Sequence, residues 1–279
     1  MLKEVVRRAL PAEAISLLRS AMLFYSTHAY TKKVVRHRYG NNSFLVHLND
    51  PTAATWYDRD WPELKELALL QRHQLKPGAT VFNLGAHQGV VALMLGAAVG
   101  DAGRVIAVEA GPHNASVFEL NRVANRAENL RVLNAAIAAE RGTLRFADNL
   151  CGHVDDGHGG IEVEARTVDD LADEYGHPSV LFIDIEGFEC EALRGATRTL
   201  STGSDCFVEV HGGVGLEKYG GSAATVLTFF PPEHYELFFA AEEGGDFVPL
   251  MNRSQTAEQL HEKKWFLIAI HKAGASVQS

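Results

Sequence analysis

Short, almost wholly apolar runs alternate with longer amphipathic stretches through most of the chain. Residues 81–84, 105–108, 130–134, 180–183 and 206–210 are four or five residues long and dominated by Val, Leu, Ile and Phe. That is the form of strands covered on both faces, as in a parallel sheet. Between them the apolar positions recur at helical spacing, which predicts helices over 90–98, 112–125, 168–174 and 189–200. Strand and helix in strict alternation define an α/β architecture. Upstream, Leu64, Leu67, Leu70 and Leu75 mark one stripe of a helix over 63–74, opened by Pro62 and closed by Lys76-Pro77-Gly78. Residues 34–39 and 43–48 flank Gly40-Asn41-Asn42 and predict a hairpin, and residues 1–30 an amphipathic helix broken near Pro11. Segments 143–147 and 161–165 are short strand candidates. At the far end, 235–240 and 265–271 predict two strands that pair antiparallel and finish the sheet as an edge hairpin. The chain so divides into a helical and hairpin cap, 1–62, for dimerisation or on the substrate side, and a main domain, 63–279.

With 279 residues and 46% hydrophobic content, the chain can bury a full core. Its 35 acidic against 26 basic residues give a net charge of -9, which argues against a protein built to neutralise phosphates and hence against a nucleic-acid partner. Cys151, Cys190 and Cys206 have no CxxC spacing, which favours reduced thiols in a cytoplasmic protein. Arg19 interrupts the longest apolar run near the start, so neither a cleaved signal nor a transmembrane segment is expected. The first helix is read as a packing or dimer-forming element, which leaves a homo-oligomer open.

Ligands of open parallel sheets bind beyond the carboxyl ends of the strands. That rule gathers Asn83, Gly85 and His87, then Glu109, then Asp184 and Glu186, then Glu209 and His211, each polar or small where the preceding residues are apolar. The Gly85–Gly89 turn lets a ligand approach the backbone, and Glu109 stands where a carboxylate accepts ribose hydroxyls. Two ribose-bearing cofactors compete for this site. Ala86, His87 and Gln88 fill the place of the middle glycine in a dinucleotide fingerprint, which suits the amino-acid tail of S-adenosylmethionine better than a pyrophosphate. The glycine-rich loop 151–160, with His153, Asp155, Asp156 and His158, reads as a flexible connection or a substrate lid.

The glycine turn with Glu109, then Asp184-Ile185-Glu186-Gly187 followed by Glu189 and Leu193-Arg194-Gly195-Ala196, then Val208-Glu209-Val210-His211 together resemble the FkbM family of S-adenosylmethionine-dependent methyltransferases. The likeness spans about 67–271. It implies a class I methyltransferase (Rossmann-like) fold, a seven-stranded, mostly parallel sheet whose last strand is antiparallel. It also implies O-methylation of a hydroxyl on a saccharide or secondary metabolite. Carried over by position, Asn83, Gly85, Ala86, His87 and Gly89 surround the methionine tail, Glu109 holds the ribose, Ala135 and Ala136 lie near adenine, and Asp184 borders the cofactor. Two positions depart from the pattern: the family usually has an acid at 83 and a lysine at 182, where this chain has Asn83 and Phe182.

An alcohol is about as weak an acid as water, with a pKa of about 15.7, so methyl transfer to it needs a positioned base or a metal. Asp184, Glu186, Glu209 and His211 are the candidate bases, His211 because an imidazole ordinarily titrates near neutrality. Asp184, Glu209 and His211 also form a candidate site for magnesium or manganese. The acceptor pocket is expected between the N-terminal cap and loops 151–160 and 212–221; Trp56, Tyr57 and Trp61 either stack on a sugar or pack the cap's core. Two other readings stand beside this one: a nicotinamide-dependent oxidoreductase, and a methyltransferase-like binding module without turnover, which Asn83 and Phe182 keep open.

Overall fold

The computed structural model describes residue 21 and residues 24–147, 153–154 and 160–272. The helix expected over 1–30 lies outside them except at its end, as does loop 151–160 apart from residues 153, 154 and 160. In chain order the elements are β1 (Lys33–Tyr39), β2 (Asn42–Leu48), α1 (Pro51–Tyr57), α2 (Lys65–Arg72), β3 (Thr80–Leu84), α3 (Val90–Val99), β4 (Arg104–Glu109), α4 (Pro112–Ala124) and β5 (Leu130–Asn134). There follow β6 (Ala136–Ile137), β7 (Gly142–Ala147), β8 (His153–Val154), β9 (Ile161–Arg166), α5 (Val168–Tyr175), β10 (Val180–Ile183), α6 (Glu189–Arg194), α7 (Thr197–Ser201) and β11 (Asp205–His211). After a 3₁₀ turn at Leu216–Tyr219 come α8 (Ala223–Thr228), β12 (Tyr235–Ala240), β13 (Val248–Pro249), α9 (Arg253–Gln259) and β14 (Lys264–His271).

The central sheet has the order β13-β12-β14-β11-β10-β3-β4-β5, with β11, β10, β3, β4 and β5 parallel. The two closing strands pair antiparallel at the sheet's edge, as expected. β14 inserts between β11 and β12, antiparallel to both, and the two-residue β13 adds an eighth strand at the edge. The physical reason is burial: Trp265, Leu267 and Ala269 face one core and Phe266, Ile268 and Ile270 the other, so β14 has no polar face to show to water. Along β10, likewise, Leu181 and Ile183 enter one core while Val180 and Phe182 enter the second.

The helix expected over 189–200 is two helices. The Asp169 carboxylate accepts from Arg198 N and Thr199 N at 3.0 and 2.8 Å, which starts α7 afresh after Gly195. The hairpin packs into the core beneath α3 and α4, where Tyr39, Phe44, Val46 and Leu48 share a cluster with Val81 and Leu93. Its outer strand is held by side chains that imitate a neighbouring strand. Asn121 Oδ1 accepts from His47 N at 2.7 Å, and Asn125 both accepts from Leu45 N and donates to Leu45 O. Among the described residues no helix is long and apolar enough to cross a membrane.

Candidate active site

The C-terminal ends of β3, β4, β10 and β11 open into one cleft of about 970 Å³, at the upper end of the roughly 300–1,000 Å³ usual for small-ligand sites. Gly85, His87, Glu109, Ala135, Ala136, Asp184, Glu186 and Glu209 line it. Asn83, Ala86, Gly89 and His211 do not; they lie behind the surface.

Protein packing requires the two glycines. Gly85 has φ +82°, and a Cβ there would lie 1.7 Å from the Asp184 carbonyl oxygen. At Gly89, φ +85°, it would lie 2.1 Å from the Phe118 ring. The turn so presses β3 against β10 on one side and α3 against α4 on the other. Between them His87 takes a left-handed φ of 48° and is fixed twice: its N–H donates to Glu109 Oε2 at 2.8 Å, and its Nδ1 meets the Tyr57 hydroxyl at 2.8 Å. Glu109 Oε1 accepts from Gly111 N at 2.8 Å. Burial pushes the Glu109 carboxyl up, although backbone N–H groups of Gly111 and His87 and the Asn114 side chain oppose it. A carboxylate has about four acceptor sites, so one remains for a hydroxyl.

Asn83 and Phe182 are register partners on β3 and β10. The two departures from the family pattern are therefore side by side, and an acid and a lysine are replaced together without leaving a lone buried charge. Phe182 stacks on Phe207 with ring centroids 4.2 Å apart. The Asn83 Oδ1 is buried and has no hydrogen-bond partner.

Four carboxylates surround His211, which is 3% exposed. Glu189 contacts Nδ1 at 2.6 Å, while Glu209, Glu186 and Asp184 lie 3.4, 3.5 and 3.8 Å from Nε2. Burial lowers the ring's pKa, but the hydrogen bonds to Glu189 and Glu209 and the surrounding charge outweigh it and lift it to about 11. That favours the protonated imidazolium over the near-neutral base expected at His211. Asp184 faces the cleft, and the low-polarity surroundings with the Glu209 charge raise its carboxyl well above the usual range. Glu186, at a left-handed φ of 54°, is raised by burial as well.

Ligand atoms of Asp184, Glu186 and His211 all lie within 4.8 Å of one another, a donor set suited to magnesium or manganese. The structure groups Glu186 with them where the sequence suggested Glu209, because Glu209 is in a salt bridge with Lys264. The expected acceptor wall changes too. Loop 212–221 packs behind Gly187, with Leu216 fully buried, and does not reach the cleft; segment 240–247 does.

Two residues outside the candidate catalytic and cofactor-binding set also shape this site. Glu189, which in sequence entered only with the family motif and as the start of a helix, is fully buried and joins Gly187 N to His211. Tyr57 sits at the end of α1, whose start is marked by the cap Asp50, accepting from Ala53 N at 2.9 Å, and by Pro51. Asp-Pro at a helix start was a readable signal.

The parallel sheet with an inserted antiparallel last strand, and a strand-end cleft bearing Glu109 and Asp184, define a class I methyltransferase. More particularly, the model of the methyltransferase FkbM domain matches residues 83–237, over half of the chain, and the chain belongs to that family of S-adenosylmethionine-dependent methyltransferases. Membership sets the nicotinamide reading aside. No curated protein matches the sequence. Solved structures it is similar to include precorrin-6y C5,15-methyltransferase of Geobacter metallireducens, at 13% identity over 74% of this chain and 87% of that one, TM-score 0.43. An S-adenosylmethionine-dependent O-methyltransferase of Thermotoga maritima matches at 12% over 85% and 77%, TM-score 0.43. Fibrillarin of Aeropyrum pernix with natively bound S-adenosyl-L-methionine matches at 14% over 86% and 83%, TM-score 0.43.

Proposed function

We propose that the chain transfers a methyl group to a hydroxyl of a saccharide or related small molecule. The observation that carries this reading is the Asp184 carboxyl, raised in proton affinity and open to a cleft with room for cofactor and acceptor together. When bound, S-adenosylmethionine supplies a methyl on a sulfonium; the acceptor oxygen bonds to that carbon and the carbon–sulfur electron pair returns to sulfur. Glu109 would offer its remaining acceptor site to ribose, the Gly85–His87 backbone would border the methionine tail, and Ala135 and Ala136 would lie near adenine, all of them cleft-lining residues. Asp184 takes the hydroxyl proton, and the raised proton affinity of its carboxyl favours that role. His211, held as a cation by Glu189, keeps Asp184 and Glu186 in place.

The same donors fit a divalent cation. Asp184, Glu186 and His211 would hold it, the ion displacing the ring's Nε2 proton; Glu189 would orient the ring through Nδ1, and the ion would make a bound hydroxyl more acidic. Chelator treatment followed by manganese titration, read by electron paramagnetic resonance, tests that arm.

The main test pairs calorimetry with S-adenosylhomocysteine and product analysis on a panel of hydroxylated acceptors. Asp184→Asn should lower turnover about 10²–10⁴-fold and change cofactor affinity little. Glu109→Ala should do the reverse. Wild-type turnover in the Asp184 variant would remove the residue from its role.

A further inference from the structure

The outer wall of the cleft comes from two segments far apart in sequence, 56–66 and 240–247, clasped by a salt bridge of 2.7 Å between Lys65 and Asp246. Asp60, Glu63 and Glu66 line the cleft from the first segment, and Glu242 and Glu243 from the second. Three Lys or Arg side chains share the lining, but Lys65 is spent on Asp246 and Lys264 on Glu209. Asp60 is engaged by Arg38 N and His37, so among the described residues only Arg59 is left to face the four remaining carboxylates. This wall repels phosphate, sulfate or carboxylate groups and draws in cations.

The same wall is aromatic. Trp56, Trp61 and Phe247 line it, and Trp56, 36% exposed, lies with its ring centroid 5.0 Å from that of His87. Aromatic faces stack on sugar rings and attract ammonium groups. Glu66 and Glu243 both line this wall, close enough that the Glu243 charge, after burial and the Glu209 charge, helps lift the Glu66 carboxyl to about 7. The pair lies on other elements than the Asp184, Glu186 and His211 donor set.

We propose that the acceptor is a polyhydroxylated amine of the amino-sugar or aminocyclitol class, its ammonium held between Glu66 and Glu243 against the aromatic wall while a hydroxyl is offered to Asp184. The inference rests on the methyl-transfer reading above and narrows its acceptor.

The test uses the full chain, treated with chelator and saturated with S-adenosylhomocysteine, so that no metal bridges the acids. Binding is measured for glucosamine, kanamycin and 2-deoxystreptamine, each beside its N-acetylated form, and for glucose 6-phosphate and glucuronate. Each amine should bind about tenfold more tightly than its acetylated form, with the gap shrinking at about 0.5 M salt. Glu66→Gln combined with Glu243→Gln should close the gap and leave S-adenosylhomocysteine affinity unchanged. Equal binding of acetylated or anionic forms, or no binding of any amine by protein that binds S-adenosylhomocysteine, overturns the inference and leaves methyl transfer standing. Failure to bind S-adenosylhomocysteine, or amine binding without methylated product when S-adenosylmethionine is supplied, overturns the methyl-transfer reading and with it the acceptor assignment.

Discussion

Replacing Glu66 by Gln should stabilise the ligand-free protein above neutral pH and leave its stability in acid unchanged. Burial, then the charges of Glu209 and Glu243, raise the carboxyl from 4.5 to about 7. A group whose pKa is higher in the folded than in the unfolded chain contributes stability that is fully present below the unfolded value and is lost as pH rises through the folded one. For Glu66 that window runs from 4.5 to about 7. At 1.36 kcal/mol per pKa unit the loss is roughly 3 kcal/mol at most, and water in the open cleft reduces it to about 1–2 kcal/mol. In a protein of this size that corresponds to a rise of about 3–6 °C in the Tm of the variant at pH 8. Urea and thermal denaturation of both proteins from pH 4 to 9 measure it directly. The curves should coincide in acid, diverge between pH 5 and 7, and then run parallel. Curves that stay parallel throughout would refute the claim that Glu66 is forced into a hostile field.

Gly89→Ala places a methyl 2.1 Å from the Phe118 ring at φ +85° and should cost about 2–4 kcal/mol in urea denaturation; a midpoint equal to wild type would show that α3 and α4 are less tightly packed than described. The His211 ring, read by ¹⁵N NMR, should remain doubly protonated to about pH 10, and titration near 6.5 would mean that the carboxylates do not hold it charged. Asn121→Ala leaves His47 N–H and Gln88 C=O without their partner and should destabilise by about 2–4 kcal/mol. Unchanged stability in that variant would indicate that water replaces the asparagine at the hairpin edge.

Strands were legible wherever both faces are buried, since an apolar run such as Val180–Ile183 can do little else. The helix start at Asp50-Pro51 was passed over because the segment Pro51–Tyr57 is too short for a clear apolar stripe. Loop 212–221 was expected to help build the acceptor pocket. In space Leu216 pulls that loop into the core, and the cleft is closed instead by residues around Glu243 and Phe247.

The sequence by itself determined the sheet, most of its helices and the polar residues at or near the ends of its strands, because local burial patterns dictate them: Asn83, Glu109, Asp184 and Glu209 each interrupt or end an apolar run. Only the tertiary structure decided what those residues are to one another. It set Asn83 beside Phe182, aimed Glu189 at His211, and placed the carboxylates of Asp184, Glu186 and Glu209 around the same ring. Protonation, packing demands on Gly85 and the negative acceptor wall follow from distances of a few ångströms between groups on different elements. Periodicity along one chain carries no record of such distances, since charge and contact depend on neighbours in space.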